Sequence, residues 1–425
     1  MMRKSLSACI ALLSVAFPSL AGATDVLPVD RVKRGVLVRE DPTTDSVALG
    51  SIAPGGRATL LEEVPGWYRI ELPDGRTGYV SKIWTEIGAQ ALLAAPSGGF
   101  KIHVIDVGTG LAVFVEGPGF TLLYDAGSQD DLASENDNRV VAYINKVRPG
   151  LTTIDHLVLS HPHKDHLQLL PDVFDRYKIR NVWNSGAINK TQGYCRFLRK
   201  VAAETGVQYH DAISSSGAYQ ASFSGSSCSG TVSIPRAAMM TAAPVQLGSG
   251  ARMSILYRNA EKHSDPNENT VVVRLDLGSR RVLLAGDAEG GGRLAPSTPP
   301  SAGSIEAELI AKPPAELKAD VLVVGHHGSL TSSRTAFLDA VQAKTFLISS
   351  GPFPYKKVRL PDADVVAELG RRGTVWSTAT DDENCGEVEA KIGPDADESP
   401  GGCNNILVTV GADGALSTAY NKIAD

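Results

Sequence analysis

Residues 159–166 read LSHPHKDH, which places His161, His163, Asp165 and His166 within six positions. At this chain's own His and Asp frequencies, H-x-H-x-D-H arises by chance on the order of a few times in ten thousand sequences of this length. The run IDHLVLS, which leads into the motif, reads as a buried strand. In extended backbone His161 and His163 are two apart and face one way, while Asp165 and His166 follow in a turn and face a second point nearby. Imidazole and carboxylate together suit two divalent metal ions, Zn²⁺ first, with Mn²⁺ or Fe as alternatives.

Working outward, VLVVGHHGS sets His326 and His327 directly after another apolar strand, and RRVLLAGDAE does the same for Asp287. Five of the nine histidines lie in the two clusters, so the imidazoles are concentrated where strands end. KIHVIDVG, AVFVEG, FTLLYDAG, KIRNVWNSG, TVVVRLDLG and KTFLISSG are further apolar strands. NRVVAYINKV, KTQGYCRFLRKVAAETG, IEAELIA and SSRTAFLDAVQ between them have helical periodicity. Strands alternating with helices predict an α/β fold, in which strand-end His and Asp groups meet at one sheet edge. SSSGAYQASFSGSSCSGTVS, within 212–235, and GGGRLAPSTPPSAGS, around 290–304, are polar and Gly-rich and are expected to be surface insertions. Asn267 and Asn269 read as loop-fixing residues.

HPHKDH, the Asp287 of LAGDAE and the pair in GHHGS resemble the metallo-β-lactamase-fold hydrolases. DVG with LLYDAGS, NENTVVVRLDLG, LLAGDAE and VVGHHGS are similar to the ComEC-like branch, related to the hydrolase domain of DNA-uptake channels. The resemblance covers roughly residues 100–380 and implies a four-layer αβ/βα sandwich with a dinuclear site at one edge. It implies His161 and His163 on the first metal, Asp165, His166 and His327 on the second, and Asp287 bridging them. Asp125 would orient a ligand histidine through its ring N–H. Adjacent histidines do not easily aim at one ion, so His326 is the candidate general acid or phosphate-binding group, although the two roles could be exchanged. Asp165 and His326 are the candidate catalytic groups. The family's third histidine on the first metal has no clear match, with His210 and His263 the candidates. The family's D-V-G-Q-G-D reads DVGTGL here, with Thr109 and Leu111 in place of polar residues. For Asp287 the bland alternative is a helix N-cap.

Upstream, GVLVRE, GSIAPGGRATLLEE and GWYRIELPDGRTGYVSKIW alternate short strands with turns, including a D-G turn at Asp74-Gly75. This order resembles a bacterial SH3-like domain, a small β-barrel that in exported proteins often binds cell-wall peptides. Trp67 and Tyr68 either line a peptide groove or close the small core. The expected organisation is a signal peptide at 1–23, the SH3-like domain at 30–88, a small-residue linker at 89–99 and the hydrolase domain at 100–425. Arg3 and Lys4, the apolar run ACIALLSVAF and Ala21-Gly22-Ala23 have the layout of a cleaved secretory signal, which implies a periplasmic or secreted protein with no membrane span after cleavage. In an oxidising compartment Cys195, Cys228, Cys385 and Cys403 allow three pairings. Cys195 with Cys228 and Cys385 with Cys403 is preferred, since each closes a loop-rich segment.

The net charge is −6, which argues against a general nucleic-acid binder but allows a local basic patch. Arg176, Lys178, Arg180, Lys190, Arg196, Arg199 and Lys200 form one basic run with no acid after Arg176 up to Lys200. It is either a phosphate-binding surface or the solvated back of a helix whose apolar face holds Tyr194, Phe197, Leu198 and Val201. The expected reaction is phosphodiester hydrolysis by a hydroxide bridging two metal ions. The expected partners are a phosphoester substrate (nucleic acid, nucleotide or wall polymer) and peptidoglycan contacting 30–88. Alternatives are an envelope phosphoesterase tethered by the SH3-like domain, and lactonase or β-lactamase chemistry on an acyl substrate.

Overall fold

The computed structural model describes residues 24–29, 32–54, 56, 58–72, 76–88, 99–129, 134–380 and 404–421. The expected signal peptide, the Asp74-Gly75 turn, the linker through residue 98 and the pairing of Cys385 with Cys403 lie outside the described residues. The chain divides into two compact units, Met1–Leu92 and Leu93–Asp425.

The first unit is a seven-stranded antiparallel sheet, in the order Ala48–Ile52, Val36–Arg39, Thr77–Ser81, Trp67–Glu71, Ala58–Val64, Thr24–Pro28, Thr85–Gly88. Its strands bury alternate residues, as a half-buried sheet requires: Val36 and Val38 point inward while Leu37 is exposed. Val26, Ile52, Ala58, Ile70 and Val80 complete the core. Tyr68 is half-buried and packs against that core with Lys82 over its ring.

The second unit has two large sheets. One runs Gln208–His210, Lys178–Asn184, Thr153–Leu159, Phe120–Tyr124, Val113–Gly117, Phe100–Val104, Ile406–Val410, Leu416–Tyr420. The other runs in chain order from Val245–Gly248 to Thr374–Ser377. Ile102, Val113, Val115 and Leu122 of the first sheet share one core with Met253, Val273, Val282 and Val323 of the second. The first sheet's other face is covered by helices Arg139–Val147, Leu170–Arg176 and Gln192–Ala203, through Tyr143, Val173, Phe197 and Leu198. The second sheet's other face is covered by Ile305–Ile310, Thr335–Val341 and Ala363–Gly370, through Leu309, Phe337 and Leu369. The result is the helix/sheet/sheet/helix stack of a four-layer αβ/βα sandwich. Strands buried on both faces are near-continuous apolar runs, which is why they stand out in the sequence.

One expectation needs correction. The 212–235 stretch is not only a surface insertion, because Ala218–Ser224 and Ser229–Pro235 pair as a β-hairpin. Tyr219, Ala221, Phe223, Val232 and Ile234 point into the core, and the intervening Ser, Gln and Thr face solvent. The apolar face is hidden in sequence because every second residue is small or polar. Cys195 and Cys228 form the expected disulfide, joining the hairpin to the Gln192–Ala203 helix.

Candidate metal centre

Strands Phe120–Tyr124, Thr153–Leu159 and Lys178–Asn184 are parallel, as are Arg280–Leu284, Val321–Val323 and Thr345–Ile348. Their C-terminal ends therefore deliver Asp125, the 160–166 loop, Asp287, His326 with His327, and Ser349 to one edge. Gly127 lets the loop after Tyr124 lie directly against the histidine loop: a Cβ on it would stand 2.2 Å from the His166 backbone nitrogen. Leu111 N–H donates to the Asp165 carbonyl at 2.9 Å, and the Thr109 hydroxyl accepts from Phe353 N–H at 2.8 Å. The Leu111 backbone is thus tied to the histidine loop and the Thr109 side chain to the loop that carries Tyr355.

Two groups of candidate ligands converge. His161, His163 and Asp287 form one, and Asp165, His166 and His327 the other, each with its donor atoms within 4.8 Å of one another. Asp287 faces both groups. Its Oδ2 is 3.5 Å from His161 Nε2, and its Oδ1 is 3.2 Å from His166 Nε2 and 3.7 Å from His327 Nε2. No helix begins at Asp287, so it has no N-cap role. His210 lies elsewhere, stacked on Trp183 at 3.8 Å and bonded to the Ala238 carbonyl and the Asn181 side chain. His263 pairs with Asn259. Neither joins a ligand group among the described residues.

The outward sides of the His166 and His327 rings are tied down. His166 Nδ1 donates to Asp125 Oδ2 at 2.8 Å, and Asp125 also accepts from Ser160 N–H at 2.7 Å and Ser160 O–H at 2.6 Å. His327 Nδ1 donates to the Ser349 carbonyl at 2.8 Å. Both rings then present an Nε2 lone pair inward. His166 Nε2, His327 Nε2 and Asp287 Oδ1 are buried and have no hydrogen-bond partner among the described residues. Lone pairs crowded against a carboxylate oxygen in a buried site require a cation between them, and the donor set suits a divalent ion. Without one, protons take that place. Against burial, Asp287 and Asp125 push His166 well above its usual range. Against burial, His166, His326, His327 and His161 hold Asp287 well below the carboxylate range. Burial and the neighbouring His166 push His161 well down.

His326 and His327 both have left-handed backbone, at φ 47° and φ 53°. That conformation is uncommon for residues with a Cβ, and each instance costs on the order of 1–3 kcal/mol. It is held by His326 N–H donating to the Gly286 carbonyl and by the Ser332 hydroxyl donating to the Gly325 carbonyl. The turn separates the two rings, whose centroids are 6.2 Å apart. His327 aims at the ligand group. His326 points Nε2 toward Asp287 Oδ2 at 3.8 Å and Nδ1 toward Glu289 Oε1 at 2.7 Å and Thr331 Oγ1 at 2.6 Å. Against burial, Asp287 and Glu289 push His326 up to about 9.

Sequence reasoning missed Glu289 and Tyr355. Tyr355 O–H donates to Asp165 Oδ2 at 2.5 Å, and its ring is parallel to that of His327. Glu289 could have been read from its place two residues after Asp287. Tyr355, 190 positions from Asp165, carries no local signal. Both groups open on a cleft of about 930 Å³, within the usual size range of a small-molecule site. Asn269 fixes its loop through the Asn259 and Glu261 carbonyls, whereas Asn267 lines the cleft.

Residues 105–193 match the metallo-beta-lactamase superfamily, and residues 34–85 match the bacterial SH3 domain family. The chain thus carries a bacterial SH3 domain and a metallo-β-lactamase domain, and its curated relatives, at low identity, include competence proteins. Recombination protein 2 of Haemophilus influenzae is 25% identical over 282 residues, 66% of this chain and 28% of that protein. Competence protein ComA of Neisseria gonorrhoeae is 26% identical over 258 residues, 61% of this chain and 28% of that protein. The chain therefore spans little more than a quarter of the length of these relatives. Among solved structures, the metallo-beta-lactamase fold protein YhfI from Bacillus subtilis overlaps 66% of this chain and 97% of its own, at 13% identity and a TM-score of 0.37. No helix among the described residues is long and apolar enough to cross a membrane.

Proposed function

We propose that the chain is an exported, dinuclear metal-dependent hydrolase that cleaves phosphodiesters. The observation that carries this reading is Asp287, buried between two groups of inward-facing donors with its two oxygens turned to different groups. His161, His163 and Asp287 would hold one divalent ion, and Asp165, His166 and His327 the other, with Zn²⁺ as the first choice. Bound there, the ions would supply Lewis-acid activation of water and offset the charge of a phosphate. Asp125 and the Ser349 carbonyl keep the Nδ1 protons of His166 and His327 outward, so both Nε2 atoms remain free to bind. Tyr355 fixes the Asp165 carboxylate through its hydroxyl. His326 lines the cleft with Nδ1 on Glu289 and Nε2 3.8 Å from Asp287 Oδ2, and would donate a proton to the leaving oxygen. Lys164, Arg196 and Lys356 in the cleft lining favour a phosphodiester over an uncharged lactone. The SH3 domain and the competence-protein relatives support a cell-envelope setting, in which the first unit would contact peptidoglycan.

The test is hydrolysis of an aryl phosphodiester by the full chain, comparing metal-stripped protein with protein given Zn²⁺ or Mn²⁺, and with Asp287→Ala as control. Metal-dependent turnover that is lost in the variant is expected. Turnover unaffected by stripping would refute the metal mechanism, and metal-dependent hydrolysis of lactones or β-lactams without diester cleavage would establish the acyl alternative.

A further inference from the structure

The basic run at 176–200 divides in the folded chain. Arg180 pairs with Asp155, Lys200 with Asp175, Lys190 bonds the Ser222 carbonyl, Arg199 bonds the Ser229 carbonyl, and Arg176 lies over Tyr177. Lys178 is exposed but does not line the cleft, and Arg196 differs from all of these in its position. It is exposed, it lines the metal-site cleft, and it has no hydrogen bond or ion pair among the described residues. Two more cations line the same cleft from unrelated elements. Lys164 starts the short helix inside the histidine motif, and Lys356 follows Tyr355 in the loop after Thr345–Ile348. Lys356 is likewise exposed without a partner among the described residues. Lys164 donates to the Gln129 carbonyl at 2.6 Å, which leaves two ammonium hydrogens.

Outside the ligand groups, Asp265 is the carboxylate among the lining residues, and it already accepts from Asn267 N–H at 3.0 Å. Apart from the ligand carboxylates Asp165 and Asp287, which a metal would neutralise, three cations face one acid at the mouth of the candidate site on a chain of net charge −6. The wall that carries Arg196 is also reinforced. The neighbouring Cys195 is in the disulfide to Cys228. Gln192 Oε1 accepts from Cys228 N–H at 2.7 Å and Ser227 O–H at 2.7 Å. The hairpin that looked like a plain insertion is a buttress for this helix.

We infer that Lys164, Arg196 and Lys356 form a second binding site at the cleft rim, which takes the phosphates flanking the scissile one. The inference rests on the phosphodiesterase reading and deepens it: the substrate is a phosphodiester chain with at least two further phosphates, not an isolated diester or a mononucleotide. Arg196 supplies a planar fork for phosphate oxygens, and the two lysines supply point charges.

The test measures binding by the full chain in EDTA, so that it reads the rim without the metal. Labelled oligothymidylates of two to ten residues are one arm, and labelled glycerol-phosphate oligomers of matching length are the other. Affinity is expected to rise with phosphate number and to fall as salt is added, with a log–log slope near −2 for three cations on a single strand. Arg196→Ala and Lys356→Ala should each weaken decamer binding about fivefold and make the slope shallower by about 0.7, while Arg196→Lys keeps most of the slope. Tighter binding in both arms assigns the site to the shared phosphate chain, and in one arm alone it names the source. No gain with length in either arm, or a decamer affinity unchanged in both alanine variants, overturns the inference. A protein that cleaves the aryl diester yet shows no length dependence loses the rim site and keeps its metal chemistry. Length-dependent binding without metal-dependent cleavage keeps the rim site and loses the phosphodiesterase reading.

Discussion

Asp125→Asn isolates the part of the site that sets a histidine's tautomer. Asp125 is fully buried and accepts three hydrogen bonds, from Ser160 N–H, Ser160 O–H and His166 Nδ1. Asparagine keeps the shape. Its oxygen can still accept from Ser160 N–H, but its NH₂ replaces the oxygen that faced the other two donors. To avoid donor against donor, His166 must move its proton to Nε2, the atom that faces Asp287 at 3.2 Å. A proton there blocks the lone pair the metal needs. Loss of such a supporting partner lowers metal affinity about 10–100-fold, which is about 1.4–2.7 kcal/mol at one site. Losing the Asp125 charge beside His166 adds about 1–3 kcal/mol of destabilisation in metal-free protein. The assay is competition for Zn²⁺ with a chromophoric chelator, with thermal melts in EDTA to separate the two effects. One of the two sites should weaken by that amount while the other changes little. Wild-type affinity at both sites in a variant with a lowered melting temperature would refute the tautomer argument, because the packing would be disturbed without consequence for the metal.

Three further outcomes follow from the geometry. Gly127→Ala places a Cβ 2.2 Å from the His166 backbone nitrogen, so it should displace the histidine loop and abolish stoichiometric Zn²⁺ binding, measured by metal analysis after dialysis, while the far-UV circular dichroism remains folded. Cys195→Ala with Cys228→Ala opens a closure between positions 33 apart and should lower stability by about 3–4 kcal/mol in urea unfolding, the chain-entropy figure for that loop. Glu116 is buried beside His103, Arg148 and Lys101; burial would raise its carboxyl, but the nearby His103 ring at 3.5 Å and the bonded Arg148 lower it to about 2. The Arg148 share of that stabilisation is present above the unfolded carboxyl value near 4.5 and lost as pH falls toward 2, about 1–2 kcal/mol after allowing for screening at the exposed Arg148, whereas the His103 share fades as pH rises and His103, held down by burial, loses its proton. Glu116→Gln should flatten that part of the stability–pH curve, and an unchanged curve would show that the pair contributes nothing.

The sequence by itself determined the strands, their likeness to a known fold, and the metal-type residues at their ends. Those signals are local: an apolar run long enough to be buried on both faces, then His or Asp at the turn where it stops. The Cys195–Cys228 pairing was legible for a similar reason, being one of few options. The tertiary structure decided what local pattern cannot carry. Asp287 faces both ligand groups only because parallel strands from two sheets end at the same edge. Tyr355 reaches Asp165 only because the loop after Thr345–Ile348 folds back over it. The 218–235 hairpin became a core element because alternate burial lets Ser, Gly and Thr mask an apolar face. Arg196 parted from Arg199 and Lys200, which share its helix face, because it lies a turn nearer the helix end that lines the cleft, while they find the Ser229 carbonyl and Asp175. Spacing along the chain shows which residues can act together on one strand or turn, and only packing decides which separate turns share a site.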